Sequence, residues 1–321
     1  MANLKEIRNR IGAVKNTRKI TSAMSRIAAA RLRRAQNAME AAREYGTRMA
    51  GIVGEILNEF EEPEDLHPLL SKGSRSAVAV VIVTADRGLC GGFNSAVNRE
   101  AERTIKALLE QEREVEIITV GRKGRDYLKT YKVKSLSHHA APGKPDEIVD
   151  IAKAVAAEVQ ALFQGHWELV DVDGDGIGDV PSDHHVGEVR IIFNYFRNVI
   201  TQEVFNDILL PVPVPAPIDA DGDGIPDPAR PAVSHAIRAF EPDTTALLDH
   251  LLPVAVETAI QQALYNSVAA EVAARRSAMD SATDNASELI GELTLQYNRE
   301  RQAAITTELM EIIGGSEALK G

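Results

Sequence analysis

"LKEIRNRIGAVKNTRKITSAMSRIAAARLRRAQNAME", residues 4–40, opens a stretch that meets no proline before Pro63. Stepping alternately by three and four from Leu4 to Ile56 visits sixteen positions, and twelve of them are apolar: Leu4, Ile7, Ile11, Val14, Ala28, Leu32, Ala35, Met39, Ala42, Met49, Val53 and Ile56. That alternation is the heptad, the period at which one face of an α-helix meets another helix. The seam lapses at Arg18, Thr21 and Ser25. Ile20, Met24 and Ile27 are expected to take it over there, one step round the helix, where the contact partner changes. A helix of about 57 residues is about 85 Å long at 1.5 Å per residue.

The other end repeats the design. In "EPDTTALLDHLLP", residues 241–253, Asp243 or Thr244 can cap the first free amides, with Pro242 just outside. From Val254 to Ile313 there is no proline and a single glycine, Gly291, and Gly314 with Gly315 is the expected stop. Met279, Ala282, Ala286, Leu289 and Leu293 keep heptad spacing, and thirteen alanines between 244 and 313 let another helix approach closely. Charge also pairs the ends: residues 1–50 carry +9, residues 254–313 carry −5, and the whole chain −11. Two helices this long do not fit across a compact domain, so an antiparallel coiled coil of residues 1–60 with 243–315 is expected to project from the middle of the chain. A folded bundle is the alternative, but it needs short turns that the uninterrupted runs do not supply.

Between the ends, residues 75–215 alternate. "SAVAVVIVTAD" (76–86) is a near-continuous β-branched run of the kind buried on both faces of a parallel sheet. A helical pattern from about 93 to 111 follows, then "VEIITVG" as a strand, "RKGRDYLKTY" as a short helix, and an amphipathic helix over 146–164. "EVRIIFNYF" and "ITQEVFNDILLPV" read as two strands joined by a short connection. The fold class is therefore α/β: a long antiparallel coiled coil of the N- and C-terminal helices with a Rossmann-like α/β domain at its base.

Composition excludes several functions. At 44% hydrophobic residues the chain has enough to fill a core, and no apolar run reaches the length of a membrane span. A single cysteine, Cys90, rules out an intrachain disulfide and a thiolate zinc cluster. The glycine-rich "DRGLCGGFN" follows a strand, yet neither G-x-x-x-x-G-K-[ST] nor G-x-G-x-x-G is present, so it reads as a tight strand-to-helix turn and not as a phosphate cradle. Cys90 within it has no identifiable histidine partner and reads as a small packed residue. Arg122, Lys123 and Arg125 in "GRKGRDY" read as an exposed basic helix start. The basic N-terminus suggests nucleic acid, but apolar seam residues recur throughout it, whereas basic-region zippers separate the two functions.

The terminal segments "LKEIRNRIGAVKNTRKITSAMSRIAAARLRRAQ" and "AMDSATDNASELIGELTLQYNRERQAAITTELMEIIGG", with "TADRGLCGGFN", "GRKGRDY" and "LLPV" between them, closely resemble the gamma subunit of the rotary ATP synthase. The resemblance implies a non-catalytic central rotor shaft, driven by protons or sodium ions. Such a shaft turns inside a ring of alternating alpha and beta subunits, with its foot and the epsilon subunit on the membrane c-ring, and catalysis in the beta subunits. It implies no required cofactor, no nucleic acid partner and no direct membrane insertion. The implied location is peripheral, on the cytoplasmic face of the inner (plasma) membrane. Carried over residue by residue, the beta subunits' acidic loops are met by Arg275 in "AARRSAM" through charge-assisted hydrogen bonds and by Gln302 and Thr306 in "RQAAITTEL" through hydrogen bonds. Lys19 and Met24 in "RKITSAM" are expected opposite them, Lys19 guiding electrostatically and Met24 packing at the seam. Ser25 and Arg26 depart from the family's usual apolar or lysine residues.

Two segments stand outside the resemblance, "VDVDGDGIGDVP" (170–181) and "IDADGDGIPDPA" (218–229), and look like insertions over 166–185 and 216–232. Asp171, Asp173, Asp175 and Asp179 fall at positions one, three, five and nine of an EF-hand-like loop, but position twelve is Ser182, and Arg230 in the second loop, where an EF-hand needs a glutamate. They read as short calcium loops, Asp183 completing the first and Asp219, Asp221, Asp223 and Asp227 forming the second, or else as solvated acidic surface. If the two strands between them form a hairpin, both loops leave from one edge.

Overall fold

The computed structural model describes residues 2–57, 60, 67–71, 77–130, 136–164, 186–213 and 244–318. The chain divides into two compact units, Met1–Ala30 with Arg275–Gly321, and Arg31–Ala274. Helix α1 (Ala2–Leu57) and helix α5 (Thr244–Ala318) are the two heptad segments, and each contributes to both units.

The larger unit is built on a five-stranded sheet. Strand β1 (Val78–Val83), helix α2 (Phe93–Glu110), strand β2 (Val115–Val120), helix α3 (Arg122–Thr130), strand β3 (Ser137–His139), helix α4 (Ile148–Gln164) and strands β4 (Glu188–Phe196) and β5 (Gln202–Leu210) follow in that order. Across the sheet they run β3-β2-β1-β4-β5, with β1 parallel to β2 and β4, β2 parallel to β3, and β5 antiparallel to β4. All six residues of β1 are buried because both of its faces are covered. The two-residue period sorts them. Val78, Val80 and Ile82 meet Val97, Ala101, Ile105 and Leu108 of α2, while Ala79, Val81 and Val83 join a core with α4, Val53, Ile56 and Leu57 of α1, and Leu248, Leu252 and Val256 of α5. The sequence carries no apolar signal for β3; its polar residues enter the sheet through hydrogen bonds, with His139 Nε2 2.7 Å from Glu158 Oε2 of α4.

Pro253 lies inside α5, where the buried neighbours Leu248, Leu252 and Val256 hold the turn despite the missing amide. Gly314 and Gly315 do not stop the helix, which continues to Ala318. Two glycines lower helix propensity by about 1 kcal/mol each, and the long helix before them carries the backbone through.

Residues 67–71 anchor the start of α5. Leu69 and Leu70 are buried, and the Leu69 carbonyl accepts from the Val212 amide just after β5. His67 Nδ1 accepts from the Leu69 amide at 3.0 Å and its Nε2 lies 3.3 Å from Asp249 Oδ1, an arrangement that suits the neutral ring with its proton on Nε2. Burial lowers the His67 pKa from its ordinary value, with Asp249 opposing. A depressed folded-state value means that its contribution to stability is intact above the unfolded pKa of about 6.5 and is lost as the pH falls through the folded value. Thermal unfolding at pH 7.5 and pH 5.5 should accordingly show a larger acid loss for the parent chain than for His67→Gln; equal losses would contradict it.

In the smaller unit α1 and α5 run antiparallel: Thr21 Oγ1 lies 2.7 Å from Thr283 Oγ1, and Ser25 Oγ donates to Asp280 Oδ1 at 2.5 Å. Ile7, Ala28, Met279, Ala286 and Leu293 are buried along the seam. The expected takeover by Ile20, Met24 and Ile27 does not occur. Thr21 and Ser25 are 8% and 7% exposed, whereas Ile20 and Ile27 are 60% and 56% exposed. The strict heptad continues through the hydroxyls because each finds a partner across the seam, so its burial leaves no hydrogen bond unmade.

Candidate functional site

Open α/β sheets usually bind ligands beyond the carboxyl ends of their strands. Here that edge is filled by the chain itself. The first three amides of α3 are all engaged: Arg122 N donates to Asp86 Oδ1 (2.8 Å), Lys123 N to the Ala85 carbonyl (3.1 Å) and Gly124 N to Thr84 Oγ1 (2.8 Å). Asn94 Oδ1 accepts from Ala85 N at 2.9 Å, and Asn94 Nδ2 lies 3.2 Å from the Sγ of buried Cys90. The Arg122 guanidinium turns back to the Asp86 carbonyl at 3.3 Å, and Arg125 lies 3.6 Å from Asp126. Burial, with the charge of Arg125 next, lowers the His138 pKa. Residues Leu264, Ser267, Val268 and Glu271 of α5 lie across the edge, leaving a cavity of about 10 Å³ beside Thr84 and Phe93. That is room for about one water molecule. Among the described residues no group of three or more His, Cys, Asp or Glu is placed to hold a metal ion.

The smaller unit offers surface of another kind. A shallow groove of about 630 Å³ runs beside the helix pair, lined by Arg18, Lys19, Ser22, Arg26 and Ile27 of α1 and by Thr283 of α5. Arg276 Nε lies 3.8 Å from Asp280 Oδ2, so this carboxylate answers both Ser25 and an arginine. Toward its C-terminus α5 turns apolar and exposed: Ile305, Leu309, Met310, Ile312 and Ile313 are 49–69% exposed. With Thr21 level with Thr283, Ala2 at the start of α1 comes near the level of Gln302, and these side chains lie further along α5.

Comparison with known proteins agrees with this architecture. Residues 3–319 match the ATP-synt family model, described as ATP synthase. The ATP synthase gamma chain of Geotalea uraniireducens is 41% identical over 323 residues, covering all of both chains, and that of Phenylobacterium zucineum is 40% identical, covering 99% of this chain and all of the relative. The chain belongs to the ATP synthase gamma chain family. Solved structures show the same fold at lower identity. A chain of the Euglena gracilis mitochondrial ATP synthase in rotational state 3 superposes with a TM-score of 0.64 at 16% identity, covering 99% of this chain and 95% of its own. One of the Tetrahymena thermophila mitochondrial ATP synthase central stalk and c-ring gives 0.55 at 23% identity, covering 82% and 99%.

In this member of the gamma chain family the five residues expected at the ring interface are not brought together. Lys19 is exposed and Met24 half-buried, flanking Thr21 at the level of Asp280 and Thr283. Gln302 and Thr306 are exposed one helical turn apart, about 28 and 34 Å further along α5 than Thr283 at 1.5 Å per residue. The Thr306 hydroxyl donates to the Gln302 carbonyl at 2.9 Å, leaving its lone pairs for a partner. Arg275 is half-buried at the opposite end of the unit's α5 segment. The expectation that Lys19 and Met24 lie opposite the other three is corrected: antiparallel register separates them into three levels. Thr21, Ser25, Asp280 and Thr283 were not anticipated as a group. Their signal was available, since polar residues at seam positions on two antiparallel helices meet when one number rises as the other falls. Asp171, Asp173, Asp175, Asp179, Asp183, Asp219, Asp221, Asp223 and Asp227 lie outside the described residues.

Proposed function

We propose that the chain is the turning central stalk of an ATP synthase, its helix pair inside the ring of alpha and beta subunits and its α/β unit toward the epsilon subunit and the c-ring. The observation that carries this reading is the exposed, apolar surface near the C-terminal end of α5. Five large side chains between Ile305 and Ile313 that are about half exposed or more suit a hydrophobic sleeve, and a ring with a central opening supplies one. Catalysis lies in the beta subunits. The stalk's contribution is its asymmetry: three chemically identical beta subunits face different sides of one helix pair, so each angle favours a different nucleotide state at each site. Linkage makes this reciprocal, so that nucleotide binding turns the stalk just as the stalk alters affinity. Arg275, Lys19, Gln302 and Thr306 are the polar contacts to the beta subunits' acidic loops, with Met24 packing beside them.

The proposed place is peripheral, at the cytoplasmic face of the inner (plasma) membrane, and what supports it is membership of the gamma chain family; none of the described helices is long and apolar enough to cross a membrane. Coupling to the c-ring is tested by assembly. Co-expressed with alpha and beta subunits, the chain should co-purify with them and confer ATPase activity that it lacks alone. Reconstitution with the c-ring should then make proton or sodium transport depend on it. Arg275→Ala should weaken assembly about tenfold, as expected for loss of one charge-assisted contact, about 1.4 kcal/mol; unchanged assembly would remove Arg275 from the interface.

Calcium at the aspartate loops is part of the same reading. The described residues flanking the two segments are adjacent, because β4 begins where β5 ends and Val189 pairs with Leu210. Nine aspartates carried from one edge repel unless a cation sits among them. Calorimetry should find calcium binding with a Kd of about 10⁻⁴–10⁻³ M, the range of weak oxygen-ligand sites. Absence of both heat and amide protection over 170–183 and 219–228 would leave the loops as acidic surface.

A further inference from the structure

Two rotational settings of α1 compete near its middle. Thr21, Ser25 and Ala28 face α5, while Ile20, Met24 and Ile27 occupy the face one residue earlier, about 100° round the helix. Apolar burial by itself favours the second set, two isoleucines and a methionine in place of two hydroxyls and an alanine. The observed setting is the first, and the contacts that distinguish it at these positions are polar. Ser25 donates to Asp280, and the Thr21 and Thr283 hydroxyls meet at 2.7 Å, one of them donating to the other while each also lies within reach of its own helix's carbonyl, Arg18 at 3.1 Å for Thr21 and Met279 at 2.8 Å for Thr283. Polar residues on an apolar helix seam fix register at some expense of stability.

We propose that the Ser25–Asp280 and Thr21–Thr283 pairs are a rotational lock, holding α1 in the one setting that keeps Ile20 and Ile27 on the outer surface. The device is specific in its chemistry: position 280 must present an acceptor to Ser25, and position 283 a hydroxyl to Thr21. It also explains why the flanking seam is left unperturbed, since Ala28, Met279 and Ala286 stay buried on either side of the polar pairs. The surface it holds outward includes Ile27 and the exposed cations Lys19 and Arg26 of the groove. A local change of setting would turn all three together.

The test uses the full chain in a Cys90→Ala background with a single probe thiol, either Ile27→Cys on the outer face or Ala28→Cys in the seam. With the lock intact, maleimide should label the first quickly and the second slowly. Asp280→Ala with Thr283→Val removes both partners on α5; labelling at 27 should then slow and labelling at 28 accelerate, each by about threefold or more as the second setting gains population. Asp280→Asn with Thr283 retained keeps an acceptor for Ser25 and a hydroxyl for Thr21 and should restore the parent pattern. Rates unchanged at both positions would overturn the proposal. So would acceleration at both, because that is loosening of the helix pair and not a change of setting.

Discussion

Replacing Gly121 by alanine is expected to destabilise the full chain by about 3 kcal/mol or more, in the upper tail for single substitutions. Gly121 joins β2 to α3 with φ at +98°, outside the range that L-residues readily adopt. A Cβ there would stand 2.1 Å from the Thr84 carbonyl oxygen and 2.6 Å from its carbon, both backbone atoms at the end of the central strand. Neither backbone can yield: Gly121 N donates to the His139 carbonyl at 2.8 Å, and Thr84 N donates to the Val120 carbonyl at 2.7 Å. Urea denaturation should show the loss as a lowered midpoint. Gly124→Ala is the comparison: its added Cβ meets Thr84 Oγ1 at 3.0 Å, in a helix and with ordinary φ, and should cost about 1 kcal/mol, since only a side chain has to shift. Equal effects at the two positions would mean that neither the backbone collision nor the positive φ governs the junction.

What the sequence disclosed follows from which interactions have a period. Heptads named α1 and α5, and the β-branched run at 78–83 named the central strand, because burial repeats at fixed intervals whatever the partner. Strand β3 has no such signature, since "SHH" is placed by ladder hydrogen bonds and by the His139–Glu158 contact with α4. The exposed isoleucines show the limit more sharply. Hydrophobicity puts Ile20 and Ile27 inside and Thr21 and Ser25 outside, and the reverse is true, because a hydroxyl whose partner is on a residue more than 250 positions away looks unsatisfied until the register is known. The turn at 84–92 was legible as a turn and not as a phosphate cradle. That Asp86, Ala85 and Thr84 engage the α3 amides was beyond it, as these contacts join segments whose spacing is set only by the sheet.

Enlarging the alanines where α5 crosses that sheet edge should have the second large effect. Ala269, Ala270 and Ala273 are fully buried and cluster with Leu32, Ala35 and Met39 of α1, with Ala85, Cys90 and Phe93 of the turn after β1, and with Phe196 at the end of β4. Methyl groups at three successive contact points are what let a helix lie on a strand-to-helix turn; each isobutyl group placed there must displace backbone or an aromatic ring. Ala270→Leu with Ala273→Leu is expected to destabilise the larger unit by about 4 kcal/mol, overpacking of each site costing about 1–3 kcal/mol and the two sites being coupled. Cys90 gives an independent local reading, because it is the single cysteine, is 2% exposed, and belongs to this cluster. Its reaction with a thiol reagent should accelerate in the double variant while the helix content of the full chain is retained. A protected Cys90 together with an unshifted denaturation midpoint would show that the edge has slack. An opened edge should still bind no nucleotide, because the α3 amides that a phosphate would need remain occupied by Asp86, Ala85 and Thr84. Closure by α5 and internal capping of α3 are thus separate reasons for the same inertness, and only the first is removed by enlarging the alanines.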